Sequence, residues 1–290
     1  MAWWAHLFLL IFVFANPAHA LRCEAVFISS PFQILPDDLQ NHYRNEIKNL
    51  RGREIEQLNA KTLDTLQNYV PPFYGDRARS VSLDQLYKVL KITDASSVVG
   101  WEARAKYNRE DVEIGYCFGR AAYIHLLLLK MGLQKESIKK IWLVGPTQTN
   151  DKDVIWQYHV ATMAYTTELG WVTIDTGQIK PQPVRHWMDY YMSRSIDGRS
   201  RFYVTEPDKF GFQLGTYDRT QMGLNSTSEE DWFRGYFPDM LREIRITSLE
   251  SLGLTKSPKF PVSEQVNLPR NPVPPKSKSI LQSLKDSIWP

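Results

Sequence analysis

Gly115-Tyr116-Cys117-Phe118-Gly119-Arg120-Ala121-Ala122-Tyr123-Ile124-His125-Leu126-Leu127-Leu128-Leu129 decides how this chain is read. A polar approach gives way at Cys117 to an apolar helix, and Met131-Gly132 supplies a C-terminal stop. A thiol at a helix N-terminus feels unpaired backbone N–H groups and the positive end of the helix dipole, and both favour the thiolate. Downstream, Trp156-Gln157-Tyr158-His159-Val160-Ala161 lies inside a strand candidate over residues 154–166. A Glu168-Leu169-Gly170 turn follows, and Trp171-Val172-Thr173-Ile174-Asp175 reads as the return strand of an antiparallel hairpin. Each strand carries one polar residue that suits a Cys-His-Asp site, so the order is helix-borne nucleophile, strand-borne base, strand-borne orienter.

Period-two alternation puts Ile155, Gln157, His159 and Ala161 on one face of the first strand, and Trp171, Thr173 and Asp175 on one face of the second. A turn centred near Glu168-Leu169 brings Asp175 within a couple of residues of the position opposite His159. The chemistry asks for these residue types. A cysteine becomes a strong nucleophile once an imidazole holds its proton. The imidazole needs its second nitrogen fixed by an acceptor, which a carboxylate provides. The oxyanion needs N–H donors, and the Cys117 amide at the helix start is one. Trp101 or a nearby loop amide is the candidate for a second.

Each residue also has an ordinary reading taken singly. A cysteine opening an apolar helix is usually a small buried hydrophobe. A histidine between aromatics is often a hydrogen-bonded core residue, and an aspartate before Thr-Gly is commonly a turn residue. The conjunction, in this element order, is what favours Cys117, His159 and Asp175 as a catalytic set. The other histidines form no two-histidine pair at helical spacing, so a metal site is not expected. His125, eight residues beyond Cys117 on the apolar helix, reads as a packed residue. No Gly-rich phosphate loop and no G-x-S-x-G occurs.

The first twenty residues read as an export leader. Residues 7–14 are an unbroken apolar run, and Ala18-His19-Ala20 is a small-x-small cleavage signal. The run is too short to span a bilayer, so no stable membrane span is expected after leader removal. A buried N-terminal helix is the other reading, but Trp3, Trp4 and the phenylalanines leave no polar face. The expected location is therefore periplasmic or secreted. Such a setting permits a disulfide between the two cysteines, Cys23 and Cys117, which would consume the nucleophile; a free Cys117 is the expectation. The net charge of +3 on 290 residues is small and dispersed, which gives no reason to expect nucleic acid. The 43% hydrophobic content suits a globular core.

Four segments follow. Residues 1–20 are the leader. Residues 21–93 form a helical N-terminal region: Leu39, Tyr43, Ile47 and Leu50, then Ile55, Leu58, Leu63 and Leu66, recur at helical spacing. Pro71-Pro72 ends that section, and residues 82–90 make another short helix. Residues 94–250 hold the catalytic set, with a strand at 141–144, helices at 186–193 and 228–241, and a strand at 202–205. Residues 251–290 are a tail rich in Pro, Lys and Ser, closed by an amphipathic spacing of Ile280, Leu281, Leu284 and Ile288.

Cys117-Phe118-Gly119-Arg120-Ala121, the Ile141-Trp142-Leu143-Val144 strand, Trp156-Gln157-Tyr158-His159-Val160-Ala161 and Val172-Thr173-Ile174-Asp175 together resemble the protein-glutaminase (protein-glutamine deamidase) family. That family belongs to the wider transglutaminase-like and papain-like group of cysteine enzymes. The likeness covers roughly residues 95–215. Related enzymes often follow the aspartate with proline, where this chain has Thr176-Gly177. The resemblance implies an α+β fold with a transglutaminase-like (papain-like) core, an antiparallel sheet packed on the Cys-bearing helix. It implies Cys117 as nucleophile, His159 as general base and acid, and Asp175 as orienter, with no cofactor. The implied substrate is a glutamine side-chain amide in a protein or peptide, hydrolysed to glutamate and ammonia through a thioester. Secreted members carry pro-segments, so residues 21–93 are either a removable cover or an ordinary helical subdomain. The same triad also suits a transglutaminase or a cysteine protease. A catalytically inert exported binding protein is the reading of a different class.

Overall fold

In the computed structural model, residues 38–256 are described, apart from 74–76, 111–113, 150–153, 212–216, 218, 221 and 228. The leader at 1–20, Cys23 with its alternative bridge, and the tail from 257 with its closing helix lie outside the described residues.

Among the described residues the helical N-terminal section holds three helices: α1 (Leu39–Ile47), α2 (Gly52–Asn68) and α3 (Leu83–Ala95). Each starts where a side chain satisfies exposed backbone N–H groups. Asp38 accepts from the Asn41 amide at 2.9 Å, the Glu54 carboxylate accepts from the Arg51 amide at 2.7 Å, and the Ser82 hydroxyl accepts from the Gln85 amide at 3.3 Å. Gln85 does not complete a capping box. Its side-chain oxygen accepts from Thr255 N–H at 2.9 Å instead.

The helix α4 (Cys117–Lys130) then lies against a five-stranded antiparallel sheet of order β4-β3-β2-β1-β5. The strands are β1 (Ile138–Gln148), β2 (Ile155–Thr166), β3 (Gly170–Ile174), β4 (Gln182–Pro183) and β5 (Arg201–Thr205). Helix α5 (Val184–Met192) follows β4, and α6 (Tyr236–Ile246) closes the described chain. Alternation along the strands divides the apolar residues between two faces. Trp142, Val144, Val160, Val172 and Ile174 join α3, α4 and α6 in one core. Ile141, Leu143, Ala161, Met163 and Phe202 join α2 and α5 in the other.

Three expectations are corrected. Strand β1 is much longer than residues 141–144, because Lys139 and Lys140 look like surface residues yet are buried. Lys139 reaches Glu206 at 2.7 Å, and the Lys140 ammonium donates to the Lys209 carbonyl. The last helix begins at Tyr236 rather than 228, because Asp231 accepts from the amides of Phe233 and Gly235 while Arg234 and Gly235 take left-handed backbone (φ 50 and 83). Trp232, inside the expected helix, is exposed under Arg109. Finally, β3 stops at Ile174, so Asp175 stands just past the strand rather than in it.

That early stop places the candidate site. The last rung between β2 and β3 pairs Thr162 with Ile174. From Ile155 to Ala161, β2 pairs with β1 alone, and one edge is left open beside the start of α4.

Candidate active site

The first turn of α4 is fixed by aromatic packing. Tyr116, the residue before it, has φ 49, a left-handed conformation unusual for a side chain of this size. Its hydroxyl donates to the Tyr107 carbonyl at 3.0 Å, and its ring stacks 4.2 Å from Tyr236. Gly119 permits that approach, since a Cβ there would meet the Tyr236 ring at 2.4 Å. Cys117 is thus the first residue of α4, where backbone N–H groups have no partner within the helix. Cys117 is a free, half-buried cysteine.

His159 faces the other side of the sheet from α4, beside Leu143 and Ala161. The thiol reaches it past the end of β3, and one cleft is lined by Cys117, Arg120, His159, Val160, Asp175 and Thr176. The imidazole is almost fully buried, stacked on Trp156 at 4.7 Å and flanked by Tyr191 at 5.1 Å. Its Nε2 lies 2.8 Å from Asp175 Oδ2. An ionised carboxylate only accepts, so Nε2 carries the hydrogen and Nδ1 is left for the sulfur. Nδ1 makes no aligned hydrogen bond among the described residues, although the imidazole is close enough to favour ionisation of the thiol. Such loosened contacts are usual before a substrate binds.

Asp175 is the most heavily bonded group of the site. Its Oδ2 accepts from Trp187 Nε1 at 2.7 Å and the Tyr191 hydroxyl at 2.9 Å as well as from His159, and Oδ1 accepts from Gly177 N–H at 3.0 Å. Gly177 stands where a side chain would collide with Tyr191, its Cβ position lying 2.9 Å from that hydroxyl. The Thr176-Gly177 sequence therefore carries the turn that holds the carboxylate.

The electrostatics follow from these contacts. Burial alone would raise the Asp175 pKa, but the imidazole and the hydrogen bonds from Trp187 and Gly177 hold it well below the ordinary carboxylate value. Burial would lower the pKa of His159, but Asp175 and Cys117 outweigh it and push it up to about 9. Burial would raise the Cys117 pKa; His159, the Arg120 charge and a hydrogen bond from the Val160 amide on the open edge of β2 bring it down. The Tyr158 hydroxyl also hydrogen-bonds the sulfur.

The three residues singled out from sequence converge in this geometry. Four others were missed: Trp187 and Tyr191, one turn apart on α5, and Arg120 and Tyr158, each inside a stretch already quoted. Trp101 does not line the cleft; its ring lies by the guanidinium groups of Arg104 and Arg120. His125 is buried, with Nδ1 2.8 Å from the Tyr217 hydroxyl. A larger open cleft of about 840 Å³ is lined by Lys106, Arg109, Glu110, Glu229, Arg234 and Asp239, with no cysteine or histidine among its described residues. Among the described residues no cluster of His, Cys, Asp and Glu is arranged to hold a metal ion, and no helix is long and apolar enough to cross a membrane.

No protein-family model and no curated protein matches the chain. Among solved structures it is similar to the A47Q2 mutant of pro-protein-glutaminase, with 15% identity over 62% of this chain and a TM-score of 0.39. The matched part spans 64% of that protein's length. It is also similar to a crystal structure of protein-glutaminase (15% identity, 62% of this chain and 92% of that one, TM-score 0.35). A third is the NMR structure of protein-glutaminase from Chryseobacterium proteolyticum (14% identity, 64% and 96%, TM-score 0.37). Likeness at this level assigns neither a family nor an activity. What the chain itself presents is a mixed fold of helices and one antiparallel sheet, with a thiol, an imidazole and a carboxylate gathered at the sheet's open edge.

Proposed function

We propose that this protein is a protein-glutamine deamidase, a cysteine hydrolase built on a transglutaminase-like core. The observation that carries the reading is His159, bonded through Nε2 to a buried carboxylate and turned by its other nitrogen toward a thiol at a helix N-terminus. This order of acceptor, imidazole and nucleophile is what acyl transfer through sulfur requires. The sequence resemblance to protein-glutaminases narrows the acyl group to the γ-amide of glutamine.

In this reading the thiolate of Cys117 attacks the amide carbon, and the carbonyl π electrons move to oxygen. The Cys117 backbone N–H and the Tyr158 hydroxyl, both at the sulfur, are the donors for that oxyanion. As the C–N bond breaks, the imidazolium gives its Nδ1 proton to the departing nitrogen, which leaves as ammonia. His159 then takes a proton from water, the resulting hydroxide attacks the thioester, and glutamate leaves as the C–S bond breaks and sulfur returns to thiolate. Asp175 keeps the ring in one tautomer and orientation throughout. The leader reading places this activity outside the cytoplasm, on protein or peptide substrates with accessible glutamine.

The test is ammonia release from a glutamine-containing protein by the purified chain. Release is expected, together with its loss in Cys117→Ala. Ammonia release with an amine incorporated in place of glutamate, or cleavage of the peptide backbone, would replace the deamidase reading by a transferase or a protease. Inertness toward all three would leave only a binding role.

A further inference from the structure

Arg120 has no task in the chemistry above. It stands one helical turn beyond Cys117 on α4, on the side of the helix that lines the cleft, together with Cys117, His159 and Asp175. Only 4% of it is exposed, and its Nη1 is buried with no hydrogen-bond partner among the described residues. A guanidinium keeps its charge at any working pH, and burying one with an unused donor is costly. The ring of Trp101, 5.2 Å from the guanidinium carbon, stabilises the cation but takes up no in-plane N–H.

The charge balance of the cleft explains why such a group belongs there. Proton exchange between sulfur and imidazole leaves their summed charge unchanged. Asp175 therefore leaves the cluster negative by one in either state, and Arg120 restores neutrality. We propose that Arg120 is a positioning residue of this site: its fixed charge, buried in the wall of the cleft, holds Cys117 in the ionised form that attacks substrate. The proposal rests on Cys117 being the nucleophile, not on the identity of the amide attacked.

The other charged or titratable groups facing this pair are Tyr158, His159 and Lys140 from the sheet, Asp175 beyond β3, Asp94 from α3, Tyr236 from α6, and Arg104 beside Trp101. None of them replaces Arg120. Burial brings the Lys140 amine down to about 7, so it is only partly charged near neutral pH, and Arg104 is tied to the ring and carbonyl of Trp101.

The test is the pH dependence of iodoacetamide alkylation of Cys117 in a Cys23→Ser chain, compared with the same chain carrying Arg120→Gln or Arg120→Lys. In Arg120→Gln the acid limb should move toward the ordinary thiol range by about one pH unit, so that the rate at any pH on that limb drops about tenfold. Arg120→Lys should keep most of the original profile. A packing role alone would change melting temperature without moving that limb. If Arg120→Gln overlays a parent profile that is itself acid-shifted, the proposal is overturned while the nucleophile reading stands. If the parent titrates as an ordinary thiol, both fall. Should Arg120→Gln not fold, Arg120→Lys decides: an acid-shifted limb is expected, and an ordinary one overturns the proposal.

Discussion

Asp175 shows how much of a site can be invested in one carboxylate. It is 4% exposed, and an ionised carboxylate that deep is tolerated only when its lone pairs are used. Here they accept from His159, Trp187, Tyr191 and Gly177. Tyr191→Phe removes one donor and almost no volume. It should cost about 1.5–3 kcal/mol in urea unfolding at neutral pH, the usual worth of a hydrogen bond to a charged group. The sign of its pH dependence is fixed. The folded pKa of Asp175 lies below the ordinary carboxylate value of 3.8, so its stabilisation is full above that value and is lost as pH falls through the folded pKa. The gap between wild type and Tyr191→Phe should therefore be widest at neutral pH and close in strong acid. A gap that is flat with pH would show that the hydroxyl serves packing rather than the carboxylate.

At the scale of elements, the question is whether α1, α2 and α3 belong to the body or form a removable cover. Their apolar faces enter both cores: Leu39, Tyr43, Leu86, Val89 and Leu90 on the α4 side, Leu63 and Leu66 on the other. Fully burying such side chains is worth about 1.5–3 kcal/mol each. Together that is about 10–20 kcal/mol, comparable to the whole net stability of a domain, about 5–15 kcal/mol. A buried polar clasp adds specificity, since Asn59 on α2 accepts from Phe202 N–H at 3.0 Å and donates to the Ser200 carbonyl at 2.9 Å on the β5 side. We therefore propose that the helices α1, α2 and α3 are integral to the folded protein. A chain starting at Asp94 should show no cooperative thermal transition by circular dichroism. A folded, active fragment released by limited proteolysis near that point would instead make these helices a pro-segment.

For the molecule as a whole, the hairpin and the Cys-bearing helix were legible because their signals are local. A period-two pattern, a Gly170 turn and a helix stop at Gly132 each need only neighbouring residues. The same arithmetic aligned His159 with Ala161 and Asp175 with Thr173, although Asp175 stands one residue past the end of its strand. What stayed hidden depends on partners distant in sequence. The burial of Lys139 and Lys140 in β1 has no local signal, because Glu206 and the Lys209 carbonyl, which satisfy them, arrive some seventy residues later. Trp187 and Tyr191 read as ordinary aromatics until the sheet brings Asp175 beneath α5. Where β3 ends, and so where β2 offers an open edge, was decided by an Asp175–Gly177 turn whose space is set by Tyr191.

In the proposed reading these features serve one physical condition, a sulfur that gives up its proton to a buried imidazole. The most direct measurement is the pH–rate profile of Cys117 alkylation in a Cys23→Ser chain, with and without His159→Ala. The account predicts fast labelling that persists well below the ordinary thiol pKa of about 8.5, and a return to that ordinary value when the imidazole is removed. A profile centred on the ordinary value and indifferent to His159→Ala would contradict it.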